Sequence, residues 1–121
     1  MRYMFLIYES ESAPERDSAE LGPAYTAFTE AVRQVGVLVA SDALEMTSAA
    51  TTVQVRNGKA ITTDGPFAET KEQLGGYYIL ECADLDEALE YAAKIPSARF
   101  GSVEVRPIAD IPPALRLTMD R

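Results

Sequence analysis

The chain has 121 residues, 47% of them hydrophobic and 25% charged, the balance of an ordinary globular domain large enough to bury roughly two-thirds of its unfolded surface. Lys and Arg number 11 against 19 Asp and Glu, and the resulting net charge of −8 repels phosphate backbones and acidic lipid, so neither nucleic acid nor a membrane is an expected partner. The single cysteine, Cys82, excludes an internal disulfide and a Cys-rich zinc site, and the lack of any histidine removes the commonest neutral-pH base and metal ligand.

A reducing, cytoplasmic setting with no metal and no cofactor follows as the expectation. Acid–base chemistry then falls to carboxylates, Lys, Tyr or Cys82. Tyr3–Tyr8 is apolar at every position and rich in aromatic and branched side chains, the pattern of a strand buried on both faces. Glu9 and Glu11 end the run far short of a signal-peptide core or a membrane span. Residues 9–17 are polar and broken by Pro14, which predicts a surface loop. From about Asp17 to Val35, Leu21, Tyr25, Phe28, Val32 and Val35 recur at helical spacing, and Gly36 supplies a C-terminal stop. Pro23 fits such a helix only in its first turn.

Val37–Ala40 reads as a second strand. Thr52–Arg56 and Lys59–Thr63 flank Asn57-Gly58, the strongest short hairpin signal. Gly76–Cys82 is a further strand, Asp84 and Glu87 open a second helix with a capping-box-like pattern, and Pro96 closes it. Ser102–Ile108 alternates as a last strand. The order is that of an α+β, ferredoxin-like domain with an added β-hairpin, spanning residues 1–108, followed by a tail over residues 109–121. Helices on such a sheet cover one face only, yet strand 1 and Tyr77–Cys82 are apolar on both alternating sets. A bare apolar face of several hundred Å² is more than a monomer usually tolerates, so a homodimer is expected.

Asp64-Gly65-Pro66-Phe67-Ala68-Glu69-Thr70-Lys71-Glu72-Gln73-Leu74-Gly75-Gly76-Tyr77-Tyr78 resembles the signature stretch of the DGPF branch of the YCII-related family. Met4–Tyr8, Thr51–Arg56 and Gly101–Pro107 fit the family in order. The resemblance implies a dimeric α+β barrel, two ferredoxin-like sheets facing each other across a cleft. Members of the wider family with a His-Asp pair have been proposed to be enzymes, a proposal that does not transfer to a chain without histidine. The DGPF branch is also associated with extracytoplasmic-function sigma factors, which gives the alternative of a non-catalytic regulatory module with a sigma factor as partner.

The connection over residues 64–75 is longer than a hairpin loop, and connections of that kind are often functional. Asp64 either holds the Gly65-Pro66 turn or serves as an acid–base group; Glu69 and Lys71 are either a solvated turn or a base and a cation. Those three are the candidate catalytic residues for a small-molecule ligand. Tyr8 and Phe67 are candidate binding residues, and Tyr8, like Tyr77 and Tyr78, is also readable as core. Glu104 and Arg106, two apart on the last strand, share a face and either line the cleft or pair across the dimer. No phosphate loop, serine-nucleophile motif or metal-spaced cluster accompanies them.

Overall fold

The structure is a computed structural model describing residues 1–112 and 114. Its regular elements are β1 (Arg2–Glu9), α1 (Leu21–Val35), β2 (Leu38–Ala43), β3 (Thr51–Arg56), β4 (Lys59–Asp64), β5 (Gln73–Glu81), α2 (Leu85–Lys94) and β6 (Ser102–Pro107). Short 3₁₀ turns lie at Pro14–Asp17, Thr47–Ala49 and Pro96–Arg99. The main sheet has the antiparallel order β2-β5-β1-β6, and β3 and β4 form a two-stranded sheet of their own. With the hairpin set aside, the chain is the β-α-β-β-α-β unit of a ferredoxin-like fold.

Strand alternation decides which side of the sheet is covered. Tyr3, Phe5 and Ile7 of β1 and Tyr78 and Leu80 of β5 are buried, and they pack with Phe28 and Val32 of α1 and Ala88 and Ala92 of α2. In register, Phe5 lies beside Tyr78 on one flank and Val105 on the other. The Phe28 and Tyr78 rings meet edge to face at 5.1 Å between centroids, and the Tyr78 hydroxyl bonds Thr29 Oγ1 at 2.6 Å. The other alternating set, Met4, Leu6, Tyr8, Tyr77 and Ile79, faces away from both helices and is only half-buried.

Several boundaries differ from expectation for local reasons. The helix starts at Leu21 and not near Asp17, because Pro14 nucleates a 3₁₀ turn that ends at Asp17. Pro23 therefore occupies the third helical position, where its missing N–H has no intrahelical acceptor to lose. Gly36, at φ 89°, ends the helix in the left-handed conformation that glycine adopts without strain. β2 runs on to Ala43 because Ser41 and Asp42 continue the ladder with Tyr78 and Tyr77 at the sheet edge. The hairpin turns at Asn57 (φ 53°) and Gly58 (φ 75°), as an Asn-Gly pair requires. Most of the 109–121 tail lies outside the described residues. No helix among the described residues is long and apolar enough to cross a membrane.

The start of α2 rests on one side chain. Asp84 Oδ1 accepts the Glu87 N–H at 2.9 Å, and Glu87 Oε1 reaches back to the N–H of Ala83 at 3.2 Å. Asp84→Ala should cost about 1 kcal/mol, read as a lower urea midpoint at unchanged slope, with Asp84→Asn recovering most of it. An unchanged midpoint would mean the cap contributes nothing.

Candidate functional site

Two clefts open at the same end of the sheet, one on each face. The first, of about 430 Å³, lies on the helix side and is lined by Glu9, Arg16, Tyr25, Asp42, Gly75 and Tyr77 among others. Glu9 continues the buried alternation of Phe5 and Ile7, so the last residue of β1 carries a carboxylate into the edge of the core. Such a group must be bonded there. Its Oε1 accepts from Arg16 Nε at 2.9 Å and its Oε2 from Ser97 Oγ at 2.7 Å, with the Glu9 side chain only 12% exposed. Ser97 is fully buried and lies 2.5 Å from the Tyr25 hydroxyl. A serine hydroxyl has one proton, and here Glu9 takes it; Tyr25 is therefore the donor to Ser97. Burial is the main reason the Tyr25 phenol titrates above its ordinary value, with the Glu9 charge adding to it.

A bulge lies beside this cluster. β5 carries one extra residue opposite β1 between Gly76, paired with Ile7, and Leu74, paired with Tyr8. The extra residue is Gly75, which passes close over Glu9: a Cβ there would stand 3.6 Å from Oε1, an ordinary contact. At the sheet edge, on the side turned away from the helices, the Tyr77 hydroxyl donates to Asp42 Oδ2 at 3.1 Å, and that bond raises the phenol.

The second cleft, of about 760 Å³, lies on the uncovered face and is lined by Tyr8, Leu44, Met46, Pro66, Phe67 and Leu74 among others. Phe67 is 80% exposed. The wall at Met46 to Ala50 is held by Glu11, whose two carboxylate oxygens accept the Thr47 N–H and Oγ1, each at 2.7 Å. Those two bonds pull the Glu11 carboxyl below its ordinary range. The Gly65 N–H donates to Ala50 O, and Thr52 Oγ1 donates to Gly65 O, which fixes the root of the Phe67 loop.

The residues singled out from sequence fall into three places. Tyr8 and Phe67 come together in the second cleft. Glu104 and Arg106 stand side by side on β6, 3.6 Å apart and exposed, with Leu6 and Met4 as their register neighbours on the uncovered face. Asp64 closes β4 opposite Thr51, while Glu69 and Lys71 are exposed in the connection that follows; none of the three lines either cleft. That connection is shorter than expected, residues 65–72, because β4 takes in Asp64 and β5 begins at Gln73. Glu9, Arg16, Tyr25 and Ser97 were missed, although a carboxylate in phase with Phe5 and Ile7 was a readable signal. Among the described residues no three His, Cys, Asp or Glu gather to hold a metal. Cys82 is buried, which raises its thiol and keeps it protonated.

A sequence model of the YCII-related domain matches residues 1–112. The chain belongs to the YCII-related family. An uncharacterized protein of Rhizobium meliloti (strain 1021) is 42% identical over 90% of this chain and 93% of its own length. A solved structure of similar fold is 5-chloro-2-hydroxyhydroquinone dehydrochlorinase from Burkholderia phenoliruptrix AC1100, in complex with 2,5-dihydroxybenzoquinone. It aligns with a TM-score of 0.54 over 92% of this chain and 96% of that one, at 12% identity, which establishes a shared fold for this YCII-related chain.

Proposed function

We propose that this YCII-related protein of the DGPF branch is a cytoplasmic homodimer that binds and acts on a small molecule in the cleft between Tyr8 and Phe67. The observation that carries this reading is that cleft itself: a largely apolar hollow with a solvent-exposed phenylalanine at its rim, directly beside an apolar sheet face that no helix covers. Apolar walls with a few polar groups are the usual build of a small-molecule site. A second chain over the Met4, Leu6, Tyr77 and Ile79 face would border the same hollow, so binding and dimerisation are linked. Asp64, Glu69 and Lys71 sit at the strand end and on the loop that carry Phe67, outside the walls of the hollow, and they are the proposed acid, base and cation for a ligand that extends past Phe67. Glu104 and Arg106 lie on the adjoining sheet face as further polar contacts. The flat ring bound by the dehydrochlorinase of similar fold is of a size this hollow admits, and supports testing quinones and phenols first.

Thermal-shift measurements with quinones, phenols and small aromatic acids check the reading. A ligand at a hundred times its dissociation constant adds about 2.7 kcal/mol to stability. Phe67→Ala should weaken the best ligand about tenfold, and Asp64→Asn should slow turnover while leaving binding in place. No stabilising ligand, together with capture of a sigma factor by the wild-type protein, would favour the regulatory alternative.

A further inference from the structure

We propose that the cleft on the helix side is a second small-molecule site, which takes a compact hydroxylated ring and removes its hydroxyl proton through Tyr25, Ser97 and Glu9. It lies across the sheet from the Phe67 hollow and does not depend on that site being used. The argument begins with the direction of the hydrogen bonds. Glu9 Oε2 receives the Ser97 proton at 2.7 Å, so Ser97 Oγ must receive the Tyr25 proton at 2.5 Å. With its proton committed inward, the Tyr25 oxygen offers the cleft an acceptor, and it is a wall of that cleft. A ligand O–H is its complement.

The transfer balances. The ligand O–H bond breaks as its proton joins the Tyr25 oxygen, the phenolic proton moves to Ser97 Oγ, and the serine proton moves to Glu9 Oε2. The products are a ligand oxyanion and a neutral Glu9, with no change in oxidation state. Charge is conserved locally as well. Before the transfer the Arg16 guanidinium is matched by the Glu9 carboxylate at 2.9 Å; afterwards Glu9 is neutral, and Arg16, which also lines the cleft, is matched by the oxyanion. A low-exposure setting strengthens that exchange, since the Arg16 and Glu9 side chains are 26% and 12% exposed. The walls suit a ring: Tyr25 and Tyr78, both on the helix side, border about 430 Å³, close to three times a cavity that holds benzene. Asp42 adds a second carboxylate, but at the exposed sheet edge, where Tyr77 already donates to it. A purely structural tie would need only Ser97 and Glu9; the phenol hydroxyl is the part that carries the chain of bonds to the cleft.

The probe is 4-nitrophenol, whose ionised form absorbs visible light, with 4-nitroanisole as the ring of like shape that has no hydroxyl. The wild-type protein should bind the phenol and lower its apparent pKa by about one unit, a tenfold enrichment of the phenolate. Binding of the anisole should be at least tenfold weaker. Tyr25→Phe keeps the ring and the packing, and should abolish the shift in the probe's ionisation; Glu9→Gln should do the same, with circular dichroism confirming that each variant is folded. A probe that ionises as it does in water, an anisole bound as tightly as the phenol, or a shift that survives Tyr25→Phe would each overturn the proposal.

Discussion

Gly101→Ala should destabilise the protein by about 3 kcal/mol, at the upper end of over-packing costs, and lower its melting temperature by roughly 10 °C. Strain from a left-handed backbone is not the cause, since Gly101 is absent from the positive-φ glycines Gly36, Gly58 and Gly65. Space is the cause. A Cβ at residue 101 would stand 2.2 Å from the Tyr8 carbonyl oxygen, 3.1 Å from Glu9 Cβ and 3.2 Å from Glu9 Cα. Two of those three atoms are backbone, so no side-chain rotation relieves the clash, and β1 and β6 must separate at the Tyr8–Ser102 rung. The same residue donates its N–H to Ser97 O at 2.7 Å, so the displacement reaches the hydroxyl that holds Glu9. Gly76→Ala is the milder comparison, with its Cβ at 2.9 Å from the Asp42 carbonyl oxygen at the sheet edge. Chemical unfolding of both variants checks the ranking, and a Gly101→Ala midpoint equal to the wild type's would contradict the geometry.

Leu6→Lys should convert the proposed homodimer into a monomer. Leu6 sits in the middle of the uncovered face, with Tyr77 beside it on β5 and Glu104 on β6. A lysine there is compatible with the single sheet, because Glu104 lies directly opposite and pairs with it. Against a second apolar sheet the same charge is unmatched and costly. Fully burying one such apolar side chain contributes about 1.5–3 kcal/mol, so a dozen residues from two copies outweigh an association cost of roughly 4–15 kcal/mol. Sedimentation equilibrium at micromolar concentration should give the wild type twice the 13.2 kDa of one chain and the variant a single chain's mass. High salt should change little, because the contact is apolar. A wild type at 13.2 kDa would remove both the dimer and its link to the Phe67 cleft.

The fold was legible because its signals are local. An unbroken apolar run marked β1, alternation marked β6, Asn57-Gly58 marked the hairpin, and Asp84 with Glu87 marked the start of α2. The uncovered face was legible too, since Tyr3, Phe5 and Ile7 and the set Met4, Leu6 and Tyr8 are both apolar, and one helical layer has only one side to give. Where the sequence misled, short-range competition decided: the 3₁₀ turn that Pro14 opens inside the expected loop runs on to Asp17, so the helix begins at Leu21 and not near Asp17, where periodicity alone placed its start. The detached hairpin was not legible, because strand propensity says nothing about which sheet a strand joins. Nor was the helix-side cleft. Tyr25 and Ser97 are 72 residues apart in sequence, and Ser97 and Glu9 are 88 apart, so no spacing rule connects them. Only the crossing of α1 over the end of β1, and the return of the chain after α2, bring the four side chains together.

The central position of β1 also has a meaning for synthesis on the ribosome. β1 ends at Glu9, and its two ladder partners are β5, which ends at Glu81, and β6, which ends at Pro107. At translation rates of about 5–20 residues per second, the most apolar strand of the protein waits on the order of 5–20 s before its last partner has been made. Until Glu81 has been added Tyr3–Tyr8 is a nascent segment with neither ladder edge satisfied, and one edge stays open until Pro107, so the first part of the interval is when a chaperone that recognises extended apolar peptide has most to bind.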